Sequence, residues 1–379
     1  MKYVDEFREP EKAAALSQHI TKLCHELKKP LKIMEVCGGH THAIFKYGIQ
    51  DILPRSLEFI HGPGCPVCVM PKGRLDDAIA ISQNHQVILA TFGDTMRVPG
   101  SRTNLLQAKA TGADIRMVYS PLDSLQIARE NPDKEIVFFA LGFETTAPST
   151  AFTILQAAAE NITNFSMFSN HVLVIPAIQQ LLESPDLQVD GFIGPGHVSM
   201  VIGTDPYHFI AQTYHKPVVI SGFEPLDILQ SIWMLLLQLT QNRCQVENQY
   251  HRLVHPEGNT IALQAINQVF AVRKNFNWRG LGDIPNSGLK IRPEYAQFDA
   301  EIKFTLPNLQ VADHKACQCG EILKGVLKPW QCKVFATACT PETPLGTCMV
   351  SSEGACAAYY KYGRFAQTNH RQKLDHGHG

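Results

Sequence analysis

The stretch L-K-I-M-E-V-C-G-G-H-T-H, Leu31 to His42, is a short β-rich run that ends in a glycine turn and passes into residues with helical spacing. The same form recurs as far as Gly222. Its further apolar runs are L-E-F-I (57–60), Q-V-I-L-A-T-F (86–92), D-I-R-M-V-Y (114–119), E-I-V-F-F-A-L (135–141), F-S-M-F (165–168), V-D-G-F-I (189–193) and P-V-V-I-S (217–221). Near-continuous apolar strands alternating with helices suit parallel sheets covered on both faces. The expected class is α/β: two Rossmann-like parallel-sheet α/β/α domains plus a C-terminal cysteine-rich domain. The expected boundaries are 1–120, with Cys37 and the C-P-V-C pair, 121–240 for the second α/β unit, and 241–379 for the last domain.

An internal echo supports two units. G-P-G-C-P (62–66) is matched by G-P-G-H (194–197), and G-F-E-T-T (142–146) by G-F-E-P (222–225). Each follows an apolar run, so each belongs where a strand ends, the edge at which open α/β sheets bind ligands. Glycines there also serve simply as tight turns. Four such turns with polar residues attached favour the binding reading.

The chain has 379 residues, 45% of them hydrophobic, and a formal charge of -1. That balance argues against holding nucleic acid through many phosphates. The most apolar segment, I-W-M-L-L-L-Q-L (232–239), is too short to span a bilayer and reads as a buried helix. The opening M-K-Y-V-D-E-F-R-E-P mixes acids with bases and lacks a secretory apolar core, which places the chain in the cytoplasm. Eleven cysteines in a reducing compartment point to metal binding or thiol chemistry rather than structural disulfides.

After Leu239 the character changes to a polar stretch, a helix expected over Asn259 to Val272, and N-W-R-G-L-G-D-I-P-N-S-G (277–288), read as a long turn. Between Ala316 and Tyr360 lie Cys317, Cys319, Cys332, Cys339, Cys348 and Cys356. No paired C-x2-4-C knuckle occurs among them, so spacing alone leaves iron–sulfur, zinc and unliganded thiols all open. Soft thiolates select such centres over hard cations. S-S-E-G-A-C (351–356) reads as a Ser/Glu cap leading Cys356 into a helix start. The His376–His378 tail reads as disordered.

Cys65 and Cys68 form C-P-V-C, a spacing that closes a disulfide when the turn allows, with Cys65 favoured as thiolate by a following helix. Cys37 follows the first strand, with Gly38 and Gly39 permitting close approach and His40 three residues on. A thiolate beside an imidazole is a nucleophile or a metal ligand; an inert buried pair and a turn histidine are the plainer alternatives. Glu144 and Glu224 end two strands, while His171, His197 and His215 lie near other boundaries. Proton transfer or ligand orientation suits some of these, and a structural role suits others. Asp94 and Arg97 occupy another post-strand loop, where an arginine can meet an anion. No nucleotide-binding glycine loop is present.

M-E-V-C-G-G-H-T-H, F-I-H-G-P-G-C-P-V-C-V, T-F-G-D-T-M-R-V-P-G, F-F-A-L-G-F-E-T-T, G-P-G-H-V-S-M-V-I-G and M-V-S-S-E-G-A-C-A-A-Y-Y together resemble the HypD family of hydrogenase maturation factors. The likeness runs in order from V-D-E-F-R to Tyr362. Several long motifs in matching order are far more specific than one C-x-x-C.

The resemblance implies a scaffold for the iron centre of nickel–iron hydrogenases, an iron carrying two cyanides and one carbon monoxide. It implies work with a HypC-type small chaperone and a HypE-type cyanide donor, itself supplied by a HypF-type partner. Cys37 then corresponds to the thiolate that binds the nascent iron, with His40 beside it. Cys65 and Cys68 correspond to a thiol pair that handles electrons or assists the iron. The family's four-iron four-sulfur (4Fe-4S) cluster is placed on Cys319, Cys332, Cys339 and Cys356, with Cys317 and Cys348 as extras. The sheet edges are expected to bring Cys37, His40, Cys65 and Cys68 together, with Glu144 and Glu224 lining the same cleft. Two rival readings are an iron–sulfur-dependent thiol–disulfide oxidoreductase and a non-catalytic zinc-binding interaction protein. Whether the chain is itself an enzyme stays open.

Overall fold

In the computed structural model, which describes residues 5–307, 309 and 311–363, the eight apolar runs become β1 (Leu31–Glu35), β2 (Leu57–His61), β3 (Val87–Thr91), β4 (Ile115–Met117), β5 (Glu135–Gly142), β6 (Phe165–His171), β7 (Gly191–Pro195) and β8 (Val218–Ser221). A ninth, β9 (Val246–Asn248), lies in the polar stretch after Leu239. They form two parallel sheets, ordered β2-β1-β7-β8-β9 and β4-β3-β5-β6. The two-unit α/β reading therefore holds for the sheets. The His376–His378 tail lies outside the described residues.

The path of the chain is less simple than its repeat. It starts the first sheet with β1 and β2, leaves to build the whole second sheet, and returns for β7 to β9. A division at residues 120 and 240 separates β3 from its partner β5 and β1 from its partner β7. Strand pairing follows backbone hydrogen bonds between chain segments far apart in sequence, which a linear reading of turns does not reveal. The strand order reverses between β1 and β7 in one sheet and between β3 and β5 in the other, and such reversals open a crevice at the carboxyl ends of the strands.

Alternation along the strands assigns the cores. Ile33 and Phe59 face the long helices Pro10–Leu27 and Pro225–Thr240, while Met34 and Ile60 face the other way. In the second sheet Ile136 and Phe138 pack on the helices Ala147–Ala159 and Thr260–Val269, whereas Val137 and Phe139 join the core of Met34 and Ile60. The two sheets thus share one central core, and buried cysteines of the C-terminal region enter it as well. Residues 232–239 lie in the helix Pro225–Thr240, and among the described residues no helix is long and apolar enough to cross a membrane.

Residues 277–288, expected as a long turn, are mostly strand. β10 (Phe270–Trp278) and β11 (Gly282–Ile291) form an antiparallel hairpin. Pro285, Asn286 and Gly288 give the segment a loop-like composition, but a two-stranded ribbon with a register irregularity at Arg273/Asn275 accommodates them. The Trp278 indole N–H donates to the Ser287 hydroxyl at 2.8 Å and pins the two strands together.

From Cys317 to Gly363 the chain has only short helices and turns. This segment covers the free edge of β2, where Lys328 Nζ donates to the Phe59 carbonyl at 2.5 Å and pairs with Glu58 at 2.6 Å. An edge carbonyl that would otherwise need water is thereby satisfied.

Candidate functional site

The end of β1 carries the centre of the site. Cys37 has extended backbone and is the N-cap of the helix Gly38–Lys46; its carbonyl accepts the His40 N–H at 2.9 Å, and the nearby N–H groups of Gly39 and His40 favour negative charge on its sulfur. The turn from β2 packs directly on it: Gly38 N–H donates to the Gly64 carbonyl at 3.1 Å. A Cβ on Gly64 would fall 2.4 Å from Cys37 Cα, so only glycine lets this turn approach. From the other side comes Glu353, which a Cβ on Gly38 would meet at 2.4 Å. The conformation of the S-S-E-G segment differs from the expected cap. Gly354 is the N-cap of Ala355–Tyr362, and Glu353 turns toward Gly38 and Cys37 instead.

Glu35, two residues before Cys37, is wholly buried. One carboxylate oxygen accepts the Cys37 N–H at 3.0 Å; the other accepts the Thr41 hydroxyl and lies 2.7 Å from His61 Nδ1. A carboxylate oxygen accepts only, so Nδ1 is the donor. This network ties the ends of β1 and β2 together behind the thiol.

Burial, with the charges of Glu353 and Glu35, pushes the Cys37 thiol far above its ordinary range, despite the two backbone N–H groups that favour the thiolate. Burial, Asp94 and Glu35 raise the Glu353 carboxyl in turn. Acidic groups that disfavour one another's ionisation in a low-dielectric pocket are reconciled by a cation, which turns the same repulsion into attraction.

His40 Nε2 lies 3.0 Å from the Gly222 carbonyl and 3.2 Å from that of Ser221. Both are acceptors, so Nε2 carries the hydrogen and the buried Nδ1 keeps a lone pair without a hydrogen-bond partner. Burial lowers the pKa of His40 and takes His197 down to about 4, so both rings are neutral. Both stack on one phenyl ring: Phe223 lies 4.5 Å from His40 and 3.7 Å from His197, centroid to centroid. The turns after β1, β7 and β8 meet in this stack.

Cys65 and Cys68 are joined in a disulfide. Cys65 is the N-cap of the short helix Pro66–Val69, and its sulfur accepts the Cys68 N–H at 3.3 Å. On the far side the Thr347 hydroxyl donates to the Cys68 carbonyl at 2.6 Å. The Gly93–Arg97 loop also docks on the C-terminal region, with Ser351 donating to Asp94 at 3.0 Å and Arg97 to the Val350 carbonyl at 3.3 Å.

The two strand-end glutamates have defined partners. Glu144 is buried and accepts the Val174 N–H at 3.0 Å; burial takes its pKa up to about 7. Glu224 pairs with Arg8 at 2.5 Å and caps the helix Pro225–Thr240. Of the remaining histidines, His171 is sealed in the second sheet with its pKa lowered by burial to about 3, and His215 closes the helix His208–Tyr214. Glu35, His61 and Phe223 are not singled out by the sequence, which marks Glu353 only as part of a cap. The signals were an acid at the end of an apolar strand and a histidine opening H-G-P-G-C.

In the C-terminal group the sulfurs of Cys317 and Cys319 are 3.3 Å apart, and Cys356 lies near enough to Cys319 for that neighbour to raise its pKa. Cys339 accepts N–H groups from Leu345, at 3.4 Å, and Gly346. Contact with Cys319 and burial raise Cys317; contact with Cys319, burial, and the charges of Cys319, Cys348 and Cys339 raise Cys356. Cys332 is buried on the turn leading to Cys339. A Cβ on Gly346 would fall 2.5 Å from Cys317 Sγ and 2.6 Å from Cys319 Sγ, so a bare backbone lines this pocket. Among the described residues no three Cys, His, Asp or Glu side chains sit at the spacing of a single metal ion. The donor set is all thiol, is approached by backbone N–H groups, and ionises together only around a cationic centre. That chemistry fits an iron–sulfur cluster.

Comparison with known proteins supplies the remaining findings. The HypD family model, described as "Hydrogenase formation hypA family", matches residues 11–363. The chain is 54% identical over 380 residues to hydrogenase maturation factor HypD2 of Bradyrhizobium diazoefficiens, covering 98% of this chain and 99% of that one. It is 53% identical over 366 residues to hydrogenase maturation factor HypD of Escherichia coli, covering 96% and 98%, and 54% identical over 371 residues to HypD of Rhodobacter capsulatus, also covering 96% and 98%.

Proposed function

The chain belongs to the HypD family, and from that premise we propose that it is a maturation scaffold on which the Fe(CN)2CO centre of nickel–iron hydrogenases is assembled. The observation that carries this reading is Cys37, a buried thiol between the carboxylates of Glu35 and Glu353, at the strand-order reversal where α/β sheets bind ligands.

Ferrous iron is the substrate here. It replaces the proton of the Cys37 thiol, forming an iron–sulfur bond and releasing H+ to solvent. Glu35 holds the Cys37 backbone in place through the step, and Glu353 offsets the charge of the incoming cation. A HypC-type small chaperone supplies a second thiolate, a HypE-type partner delivers cyanide from a HypF-derived precursor, and the work takes place in the cytoplasm. His40, held neutral with Nδ1 unprotonated, is available to the iron or to a proton leaving its ligands. Glu144 and Glu224 belong to the surrounding sheet edges, positioning helices through the contacts described above.

Cys319, Cys332, Cys339 and Cys356 hold a 4Fe-4S cluster in this reading, with Cys317 and Cys348 adjacent. Such a cluster supplies single-electron storage at a potential set by its surroundings. The Cys65–Cys68 disulfide, preceded by the Gly64 turn that packs on Cys37 and held on its far side by Thr347, is the redox element of the chain itself. The same disulfide favours a second reading, a thiol–disulfide oxidoreductase that never binds iron at Cys37.

Anaerobic purification with the small chaperone, followed by iron, sulfide and zinc analysis with Mössbauer and infrared spectra, separates them. About four cluster irons with matching sulfide, plus a low-spin iron whose cyanide and carbonyl bands vanish in Cys37→Ala, support the scaffold. Cluster iron and a cycling disulfide, with those bands never present, support the oxidoreductase. Zinc without sulfide defeats both.

A further inference from the structure

The two sulfurs of the disulfide have unlike surroundings, and the difference follows their positions. Cys65 Sγ accepts a backbone N–H, that of Cys68, at 3.3 Å. Cys68 Sγ lies 3.8 Å from a backbone carbonyl, that of Thr347. An N–H stabilises negative charge on sulfur, whereas a carbonyl repels it and takes an S–H hydrogen instead. Thr347 is wholly buried and is anchored by its own hydroxyl, which donates to the Cys68 carbonyl at 2.6 Å. The residue before Cys65 packs on Cys37. Cys68 faces the cysteine-rich segment; Cys65 follows the turn that touches the iron-binding thiol.

We propose that the reduced pair is asymmetric: Cys65 is the nucleophilic thiolate, Cys68 keeps the proton, and Thr347 is the positioning residue that enforces the difference. The inference rests on the redox role given to this pair above. In the step itself an external low-potential electron carrier gives up two electrons in all. The Cys65–Cys68 bond breaks, one proton from solvent ends on Cys68 with its hydrogen toward the Thr347 carbonyl, and Cys65 is left as thiolate at the end of the turn that packs on Cys37. The reactive sulfur is therefore formed on the side where a mixed disulfide, or a ligand on iron, can be reached.

The test uses the full chain purified anaerobically, reduced, and treated with a limiting amount of iodoacetamide. Alkylation of each cysteine is followed by peptide mass spectrometry, and the midpoint potential of the pair is measured by titration. Cys65 is expected to label at least about tenfold faster than Cys68. In Thr347→Val that ratio falls toward one, and the pair becomes harder to reduce by about 30 mV, the equivalent of tenfold for a two-electron couple. Thr347→Ser keeps the hydroxyl and is expected to retain the wild-type ratio and potential, which separates anchoring from misfolding. Faster or equal labelling of Cys68, or an unchanged ratio and potential in Thr347→Val, overturns the inference while leaving a cycling pair intact. A disulfide that dithionite never opens overturns the redox role and the asymmetry together.

Discussion

Around Cys37 the thiol is positioned by regular structure: the end of β1, a helix N-terminus, and a buried carboxylate that reaches His61 on β2. Cys319, Cys339 and Cys356 themselves lie on short turns and helices rather than strands, and burial and neighbouring thiols raise the pKa of Cys339 and Cys356. The first site is complete as a hydrogen-bonded object before any metal arrives. The second is a set of like groups which, in the cluster reading proposed above, gain a common reason to assemble when a cationic centre draws off their protons. Both regions are rich in buried cysteine, so burial alone does not distinguish a site built by hydrogen bonds from one whose thiols hold no such network.

The largest expected effect tests that contrast directly. Cys339→Ser, or stripping of iron and sulfide, should cost residues 317–362 their protection from hydrogen exchange, a local loss of about 4 kcal/mol or more, while β3 and β5 keep theirs. Equal protection throughout would show that turns and packing hold the segment without a centre. Next comes Cys37→Ala. Iron retention at the assembly site should fall at least about a hundredfold, with the unfolding midpoint within a few degrees of wild type, as expected for a small change at a site built by other residues. Global destabilisation would mean that the thiol is structural.

Glu144→Gln probes a buried polar group held by a backbone hydrogen bond and no metal. Because its folded pKa is about 7, above the usual 4.5, the acid is protonated in both states at pH 4 and carries no penalty. As pH rises the unfolded carboxyl ionises first, so stability is lost between pH 4.5 and 7. The Gln protein should match wild type at pH 4 and exceed it by at most about 3 kcal/mol at pH 8. Denaturant midpoints across that range, with and without metal, decide whether the loss is independent of the cluster. The smallest effect concerns iron capture itself. Since the Cys37 thiol is raised above its ordinary range, iron affinity should climb about tenfold per unit between pH 6.5 and 8, with one proton released per iron. A flat profile in a weakly buffered titration would place iron on a group already ionised.

All eight apolar runs are strands because continuous Val, Ile, Leu and Phe between glycine turns has few other solutions in an α/β chain. Their pairing order was hidden, since nothing in the turn after β2 says that β1 takes its second neighbour from beyond residue 190. The hairpin of β10 and β11 was masked by Pro285, Asn286 and Gly288. Among site residues, the thiols and His40 were legible from their types and turns. Glu353 was read as part of a cap because S-S-E-G before a helix has that signature, yet its side chain is drawn to the cavity over Gly38. Glu224 was legible as a strand-end acid but not as the partner of Arg8, a contact that depends on how the N-terminal segment lies across the first sheet.

The interleaved path of the chain has a consequence for its own birth. Cys37 and Gly64 leave the ribosome early, but Phe223, which stacks on His40, follows only after the entire second sheet, and Glu353 comes later still. A nascent chain therefore carries the thiol long before it carries the pocket. Stray metal met during synthesis finds a lone cysteine on an unfinished sheet, and the pocket proposed to take iron exists only once nearly all of the polypeptide has been made.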